Sequence, residues 1–366
     1  MVSPFTTPAD VERKTLMILR ILHEAGQPVG SRLISRRMQD RGLPSSERAV
    51  RYHFKLMDER GLTRLIGKRD GRVITDKGIE EIGRARVRDK VGLANSRIEI
   101  LAFQTTFEPE TGRGLLPVNI SLLSEETFPD ALRIMEPVFN AGYTVSRRVA
   151  VAGPGQRLAG LLVPEGRVGL ATVCSIVVNG VLLKNGIPMD SKFGGILQVK
   201  NRHPLRFVEL IHYSGSSLDP SEVFIRGKMT SVRSVVDEGE GMILANFREI
   251  PAPCLPLMER RLAGLARADI GGILVKGDIS EPVCQTPVEM NRVGIVLIGG
   301  LNPVACVGEA GLDVDNRAMS AVMEYGEMEP FDQILKRHQG RPTNRKKAEP
   351  RRSREGTPGR KQNQEH

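Results

Sequence analysis

Arg48, Arg51, Tyr52 and Lys55 recur at i, i+3, i+4 and i+7, so on a helix they share one stripe. Arg can bridge guanine O6 and N7, Lys can meet a phosphate, and a Tyr hydroxyl can serve either. This is the chemistry of a helix laid in a major groove, or simply of the solvated charged face that surface helices ordinarily carry. Val50, Phe54 and Met57 interleave with the stripe at helical spacing and are expected to pack inward. Ser46, at the start of the same helix, joins the stripe as a DNA-contact candidate.

The elements around the stripe favour the groove. Upstream, Val11, Ile18, Leu19 and Leu22 mark a first helix from Pro8 to Glu24, with Asp10 as its expected cap and Gly26 as its stop. Ser31 is expected to cap a second helix carrying Leu33, Ile34 and Met38 and closed by Gly42. Downstream, Leu62–Ile66 and Arg72–Thr75 are β-prone runs around an Asp70-Gly71 step, which reads as a hairpin with Lys68, Arg69 and Arg72 at its tip. Three short helices followed by a basic-tipped hairpin describe a winged helix-turn-helix. Thr75-Asp76 is expected to cap a helix running from Lys77 toward Leu93.

A formal net charge of +10 suits a polyanionic partner, and its distribution is more telling. Residues 1–90 and 336–366 are net basic and the middle is net acidic, so attraction to phosphate belongs to the ends. The four cysteines are scattered with no C-x-x-C pair, which argues against a zinc site or disulfide framework and for a reducing cytoplasm. No long uncharged apolar run or signal-peptide pattern is present, so a cytoplasmic protein with no membrane partner is expected.

The middle resembles itself. Val168-Gly169-Leu170, Asn179-Gly180-Val181 and Gly186-Ile187 recur as Val293-Gly294-Ile295, Asn302-Pro303-Val304 and Gly311-Leu312. Asn119-Ile120-Ser121 precedes the first copy as Asn246-Phe247-Arg248 precedes the second. Two similar α/β halves follow, with β-rich runs such as Arg147–Ala152 and Gly169–Val178 and helices such as Phe128–Ala141 or Pro256–Ala268. Paired halves leave a cleft, where small ligands bind. Gly194, Gly195 and Ser214–Ser217 offer open backbone N–H groups and hydroxyls for a carboxylate or phosphate, or serve only as turn chemistry. Asp313-Val314-Asp315 is a weak metal signal, and Cys174 with His212 would form a nucleophilic dyad only if folding joined them. The tail from Lys336 has almost nothing apolar and is expected to be disordered.

Four longer strings carry a resemblance. Leu93–Glu99, Gly169–Lys184, Phe193–Gln198 and Phe207–Pro220 are similar to the archaeal global nitrogen repressor NrpR family, a likeness spanning roughly residues 8–335. It implies a homodimeric repressor that binds palindromic double-stranded DNA operators of nitrogen-fixation and ammonia-assimilation genes and releases them when 2-oxoglutarate signals nitrogen shortage. Some members carry two effector domains where this chain has room for one, so a second effector-domain subunit stays open. With the family strings as guide, Thr172, Cys174, Ser175, Lys192, Gly194, Gly195, His212 and Ser216 are the candidate effector contacts. No cofactor or metal is expected, 2-oxoglutarate acting as effector.

The chain thus reads as α/β overall: a winged helix-turn-helix over 8–76, a connecting helix over 77–94, an internally duplicated α/β effector domain over 95–335 and a disordered basic tail over 336–366. Two other readings stand beside the repressor. One is a DNA-binding adaptor whose middle domain holds a partner protein. The other is a nuclease or hydrolase with an accessory winged helix, for which no catalytic constellation is evident.

Overall fold

A computed structural model describes residues 8–67, 71–84 and 92–339. Helices α1 (Pro8–Ala25), α2 (Ser31–Asp40) and α3 (Glu47–Glu59) close on one core. Ile18, Leu19, Leu22, Ile34, Met38, Val50, Phe54, Met57 and Leu62 meet there, each essentially inaccessible to solvent. The local signals act largely as expected. Gly26 and Gly42 end α1 and α2 at φ +59° and +71°, and the Ser46 hydroxyl accepts the Ala49 N–H at 3.2 Å as the cap of α3. Two caps differ. Gly30 occupies the cap of α2 while Ser31, already helical, donates to Glu47 at 3.1 Å; α1 begins at Pro8, which places Asp10 inside its first turn.

Strands β1 (Thr63–Gly67) and β2 (Gly71–Ile74) pair antiparallel as the wing, and Val29 bridges to Arg72 on the far side of β2. The approach is so close that a Cβ on Gly71, whose φ is +97°, would lie 2.4 Å from the Val29 carbonyl. The connecting helix expected over 77–94 is instead two helices. The first, α4 (Asp76–Arg84), is capped by Thr75 and packs on the winged helix through Gly78, beneath the Leu62 carbonyl. The second, α5 (Leu93–Gln104), starts afresh behind Gly92 in the left-handed conformation.

The effector domain begins with β3 (Leu115–Ser124), α6 (Phe128–Asn140), β4 (Arg148–Ala152), a small hairpin β5 (Arg157–Leu158) and β6 (Leu161–Leu162), β7 (Arg167–Val173), α7 (Ile176–Lys184) and β8 (Asp190–Lys200). An insertion of β9 (His203–His212), α8 (Pro220–Arg226) and α9 (Val232–Glu238) follows. The order then repeats as β10 (Gly241–Pro251), α10 (Leu255–Arg267), β11 (Ile273–Ile279), β12 (Arg292–Ile298), α11 (Asn302–Glu309) and β13 (Val314–Glu324), ending with β14 (Glu329–Pro330) and α12 (Phe331–Gln339). Each repeated element starts about 125 residues after its counterpart, the offset of the sequence repeat.

The halves are interleaved. One antiparallel sheet runs β13-β3-β7-β4-β14 and the other β11-β12-β10-β8-β9, so each half lends its last long strand to the other's sheet. The central strands are buried on both faces, while the edge strand β9 is largely exposed. Leu116, Val118, Ile120 and Leu122 of β3 share one core with Val293, Ile295 and Leu297 of β12 and with α7; α6, α11 and α12 share the other with Phe193, Phe247 and Val296. The β-rich run expected over Gly169–Val178 stops at Val173, and α7 takes the rest. That helix is buried on every side from Ile176 to Leu182, so it lacks the amphipathic period that marks a helix. The tail expected from Lys336 is helical through Gln339, and the remainder lies outside the described residues.

Candidate nucleic-acid face and effector cavity

The burial of α3 leaves one side free. Arg48, Arg51, Tyr52 and Lys55 are all exposed on it, and the only charge partners of Arg51 and Lys55 among the described residues are Glu47 at 2.5 Å and Glu59 at 3.9 Å, on the same helix. Such i,i+4 pairs are weak and yield readily to a phosphate or base edge. His53, which sequence reasoning passed over, is buried 3.5 Å from the Thr15 hydroxyl. Lys68 and Arg69 lie outside the described residues. Arg72 is not at the tip: its guanidinium lies 4.7 Å over the Phe54 ring and 2.7 Å from Asp58, which also accepts the Thr63 hydroxyl at 2.6 Å. The side chain ties the wing to α3, because a guanidinium stacked on an aromatic and paired with a carboxylate satisfies both its plane and its charge.

Where the exchanged strands cross, polar and apolar side chains line a tight cavity of about 20 Å³, room for about one water, so a larger ligand enters only as the walls move apart. The β7–α7 turn supplies Cys174 and Ser175, β10 supplies Asn246 and Arg248, and β3 supplies Asn119. Tyr213, Asp219 at the start of α8 and Ala318-Met319 of β13 close the rest. Asn119 and Asn246 are structural counterparts, since their neighbours Thr172 and Leu297 hold the same place in β7 and β12. Two positions on, the symmetry breaks, with Ser121 in the first half and Arg248 in the second.

Arg248 is 1% exposed. Its Nη atoms donate to the Ser175 hydroxyl at 3.0 Å and carbonyl at 3.3 Å, its Nε has no partner, and no carboxylate among the described residues is hydrogen-bonded or ion-paired to it. Burial lowers the pKa of this guanidinium. Asp219, the carboxyl in the cavity lining, acts on Arg248 only across space and has its own pKa raised by burial; a buried guanidinium with no carboxylate bonded to it is expensive, which suits the cavity to an anion. Around it, Asn246 donates to Ser175 at 3.3 Å and accepts from Tyr213 at 2.5 Å, and Asn119 accepts the Met319 N–H at 3.0 Å. Burial pushes the Cys174 thiol up to about 11, so it remains a neutral wall rather than a nucleophile.

Of the eight expected effector contacts, Cys174 and Ser175 line the cavity and Thr172 stands just behind it, accepting from Asn119 at 3.5 Å. The other five do not line it. Lys192 is held by Asp190 at 2.8 Å, Glu289 at 2.5 Å and Glu249 at 3.4 Å; its ammonium fills the one cluster of carboxylates that could otherwise hold a metal among the described residues. Gly194 and Gly195 are glycines for packing, since a Cβ would come within 2.8 Å of Pro220 and 2.5 Å of the Glu209 carbonyl. His212 is exposed and packs edge-on against Phe193, so no dyad with Cys174 forms, and the Ser216 hydroxyl closes a turn onto the Leu218 carbonyl at 2.6 Å. Asp313 and Asp315 pair with Arg167 and Arg317. Asn119, Asn246 and Arg248 line the cavity without having been singled out from the sequence as contacts, and they head the two copies of the sequence repeat, which was the available signal.

No helix among the described residues is long and apolar enough to cross a membrane. Residues 16–82 match the ribonuclease R winged-helix domain, and residues 91–330 match the family of NrpR regulatory domains NRD1 and 2. The chain is 39% identical to the global nitrogen regulator NrpRI of Methanosarcina mazei, over 87% of this chain and 98% of that one. It is 33% identical to the global nitrogen regulators NrpR of Methanococcus maripaludis and Methanocaldococcus jannaschii, over 85% and 86% of this chain but 54% of each of theirs, and so spans about half their length. A crystal structure of a nitrogen repressor-like protein from Methanococcus jannaschii shares the fold, with a TM-score of 0.56 and 24% identity over 66% of this chain and 99% of that one. A regulatory-domain match across most of the chain and relatives this similar place it in the NrpR family of nitrogen regulators, which is a family of regulators rather than enzymes.

Proposed function

We propose that the chain is a sequence-specific transcriptional repressor of nitrogen-assimilation and nitrogen-fixation genes, and that 2-oxoglutarate relieves its binding to the operator. The observation that carries the effector half of this reading is Arg248, buried at a polar cavity with no carboxylate bonded to its guanidinium, the carboxyl in the cavity lining, Asp219, having its own pKa raised by burial. A dicarboxylate supplies the missing charge. One carboxylate takes the guanidinium, whose donors form a fork matched to two oxygens, while the Asn119, Asn246 and Ser175 side chains address the remaining oxygens. No metal or cofactor is required for that binding.

The DNA half rests on the exposed stripe of α3 and on the family. Two winged helices related by a dimer axis meet successive major-groove faces of a palindrome, with Arg48, Arg51, Tyr52 and Lys55 against base edges and phosphates and Lys68 and Arg69 from the wing. Release requires that 2-oxoglutarate prefer an arrangement in which the two helices are misplaced, since a ligand shifts an equilibrium only by its differential affinity. The test is operator binding by fluorescence anisotropy at fixed salt, titrated with 2-oxoglutarate, beside calorimetry of the metabolite on the DNA-free protein. Specific binding that the metabolite weakens, together with loss of metabolite binding in Arg248→Met, supports the reading. Specific DNA binding with no heat from 2-oxoglutarate reassigns the cavity.

A further inference from the structure

We propose that Arg97 is the positioning residue that carries the state of the cavity to the winged helix, through Glu24. This rests on the effector reading above. Arg97 lies in the family-like run at the start of α5, beside Ile98, which lines the cavity. Its guanidinium reaches two ways. Nε and Nη2 donate to the Met319 and Ser320 carbonyls, the latter at 2.9 Å, and Nη1 stands 3.6 Å from the Glu24 carboxylate in the last turn of α1.

The carbonyl side is the movable part of the cavity wall. Between Arg317 and Ala321, β13 bulges away from β3, and Met319 is held at φ +49°, a strained conformation for a side chain of its size. The bulge is held by Asn119 of the cavity lining, which accepts the Met319 N–H, and by Glu222 of α8, which accepts the Ala318 N–H at 2.8 Å. A carboxylate in the cavity, an acceptor only, either takes the Met319 N–H in place of the Asn119 Oδ1 or draws the Asn119 Nδ2 from Thr172 and turns that Oδ1 with it, and both displace the carbonyls that aim Arg97.

The Glu24 side is where the DNA-binding module is held. Burial alone would raise the Glu24 carboxyl; the guanidiniums of Arg41 and Arg97 more than offset it and hold it below the ordinary range. Arg41 caps α2 and pairs with the same carboxylate, so Glu24 ties the α1–α2 corner to the effector domain. A second tie is the 2.5 Å bond from Arg157 to Gln27 in the following turn, and Arg157 does not line the cavity. With Arg97 withdrawn, the module keeps the Arg157 tie and can pivot about it. An incoming dianion also draws the Arg97 charge toward the cavity, away from Glu24.

The experiment compares wild type, Glu24→Gln, Arg97→Met, their double variant and Arg157→Met in operator anisotropy with and without saturating 2-oxoglutarate. Wild type is expected to lose affinity on the order of tenfold or more with the metabolite, and Glu24→Gln and Arg97→Met less than about twofold. The double variant should show no further loss of response. Glu24→Gln binds 2-oxoglutarate in calorimetry as wild type does, since Glu24 is outside the cavity, and Arg157→Met keeps the response. Full release in Glu24→Gln, or an equal loss of response in Arg157→Met, overturns the proposal. A wild type that binds operator without answering to 2-oxoglutarate overturns the effector reading instead. Arg97 is then judged without ligand: Asn119→Ala shifts operator affinity severalfold in wild type and not in Glu24→Gln, and an equal shift in both backgrounds overturns it.

Discussion

Arg248 separates two roles that usually coincide. If it served packing alone, its removal would destabilise the protein; as an anion receptor it is a liability of the empty state. Arg248→Met should therefore leave thermal stability within about 1 kcal/mol or raise it, because buried unpaired charge is replaced by apolar volume, while 2-oxoglutarate binding is lost. Differential scanning calorimetry and titration calorimetry on one preparation check both. Glu222 supplies a pH signature. Burial, then the nearby Asp219, raises its pKa to about 7, so the folded protein holds a proton that the unfolded chain releases earlier. Stability should fall as pH rises from about 4.5 through about 7 and level off above, by up to about 3 kcal/mol at 1.36 kcal/mol per unit. Glu222→Gln keeps an acceptor for the Ala318 N–H and should flatten that slope in melting curves. At this scale a place on the cavity was legible for Cys174 and Ser175, which sit inside a family-like string, but not for Arg248, because nothing local tells a buried arginine in a strand from a surface one.

Among elements, α3 and the wing show what periodicity encodes. Val50, Phe54 and Met57 recur on one face because a helix returns every 3.6 residues, and the structure buries all three. The same rule cannot say whether an arginine beside a hairpin turn points out or back. Arg72 points back, so Arg72→Ala should lower the melting temperature of the winged helix and leave the salt dependence of operator binding unchanged. Arg48→Ala should do the reverse, reducing the slope of log affinity against log salt by about 1. Equal slopes for Arg48→Ala and wild type would remove Arg48 from the phosphate contacts. Glycines are ambiguous for a related reason. Open backbone at Gly194 and Gly195 suggested a ligand, but a missing Cβ equally admits a neighbour, and here Pro220 and the Glu209 carbonyl occupy the space.

For the whole molecule, the exchange of β8 and β13 makes the two halves one folding unit. A fragment ending at residue 238 keeps β3 without β13 and β8 without β10, leaving long apolar strand edges unpaired. Alone it should be unfolded or aggregated by circular dichroism and gel filtration, and co-expression with residues 239–339 should restore a soluble complex; a folded, monomeric fragment would contradict the exchange. The winged helix was readable from the sequence because most of its contacts lie close along the chain and its turns use glycine and serine chemistry. The duplication and the family strings were readable because identity survives at a fixed offset of about 125 residues. The strand exchange, the cavity and the Arg97 link were decided only by tertiary structure. Asn119 meets a carbonyl-bearing bulge 200 residues away, and a strand's own alternation tells which side is buried but carries no record of which strand lies beside it.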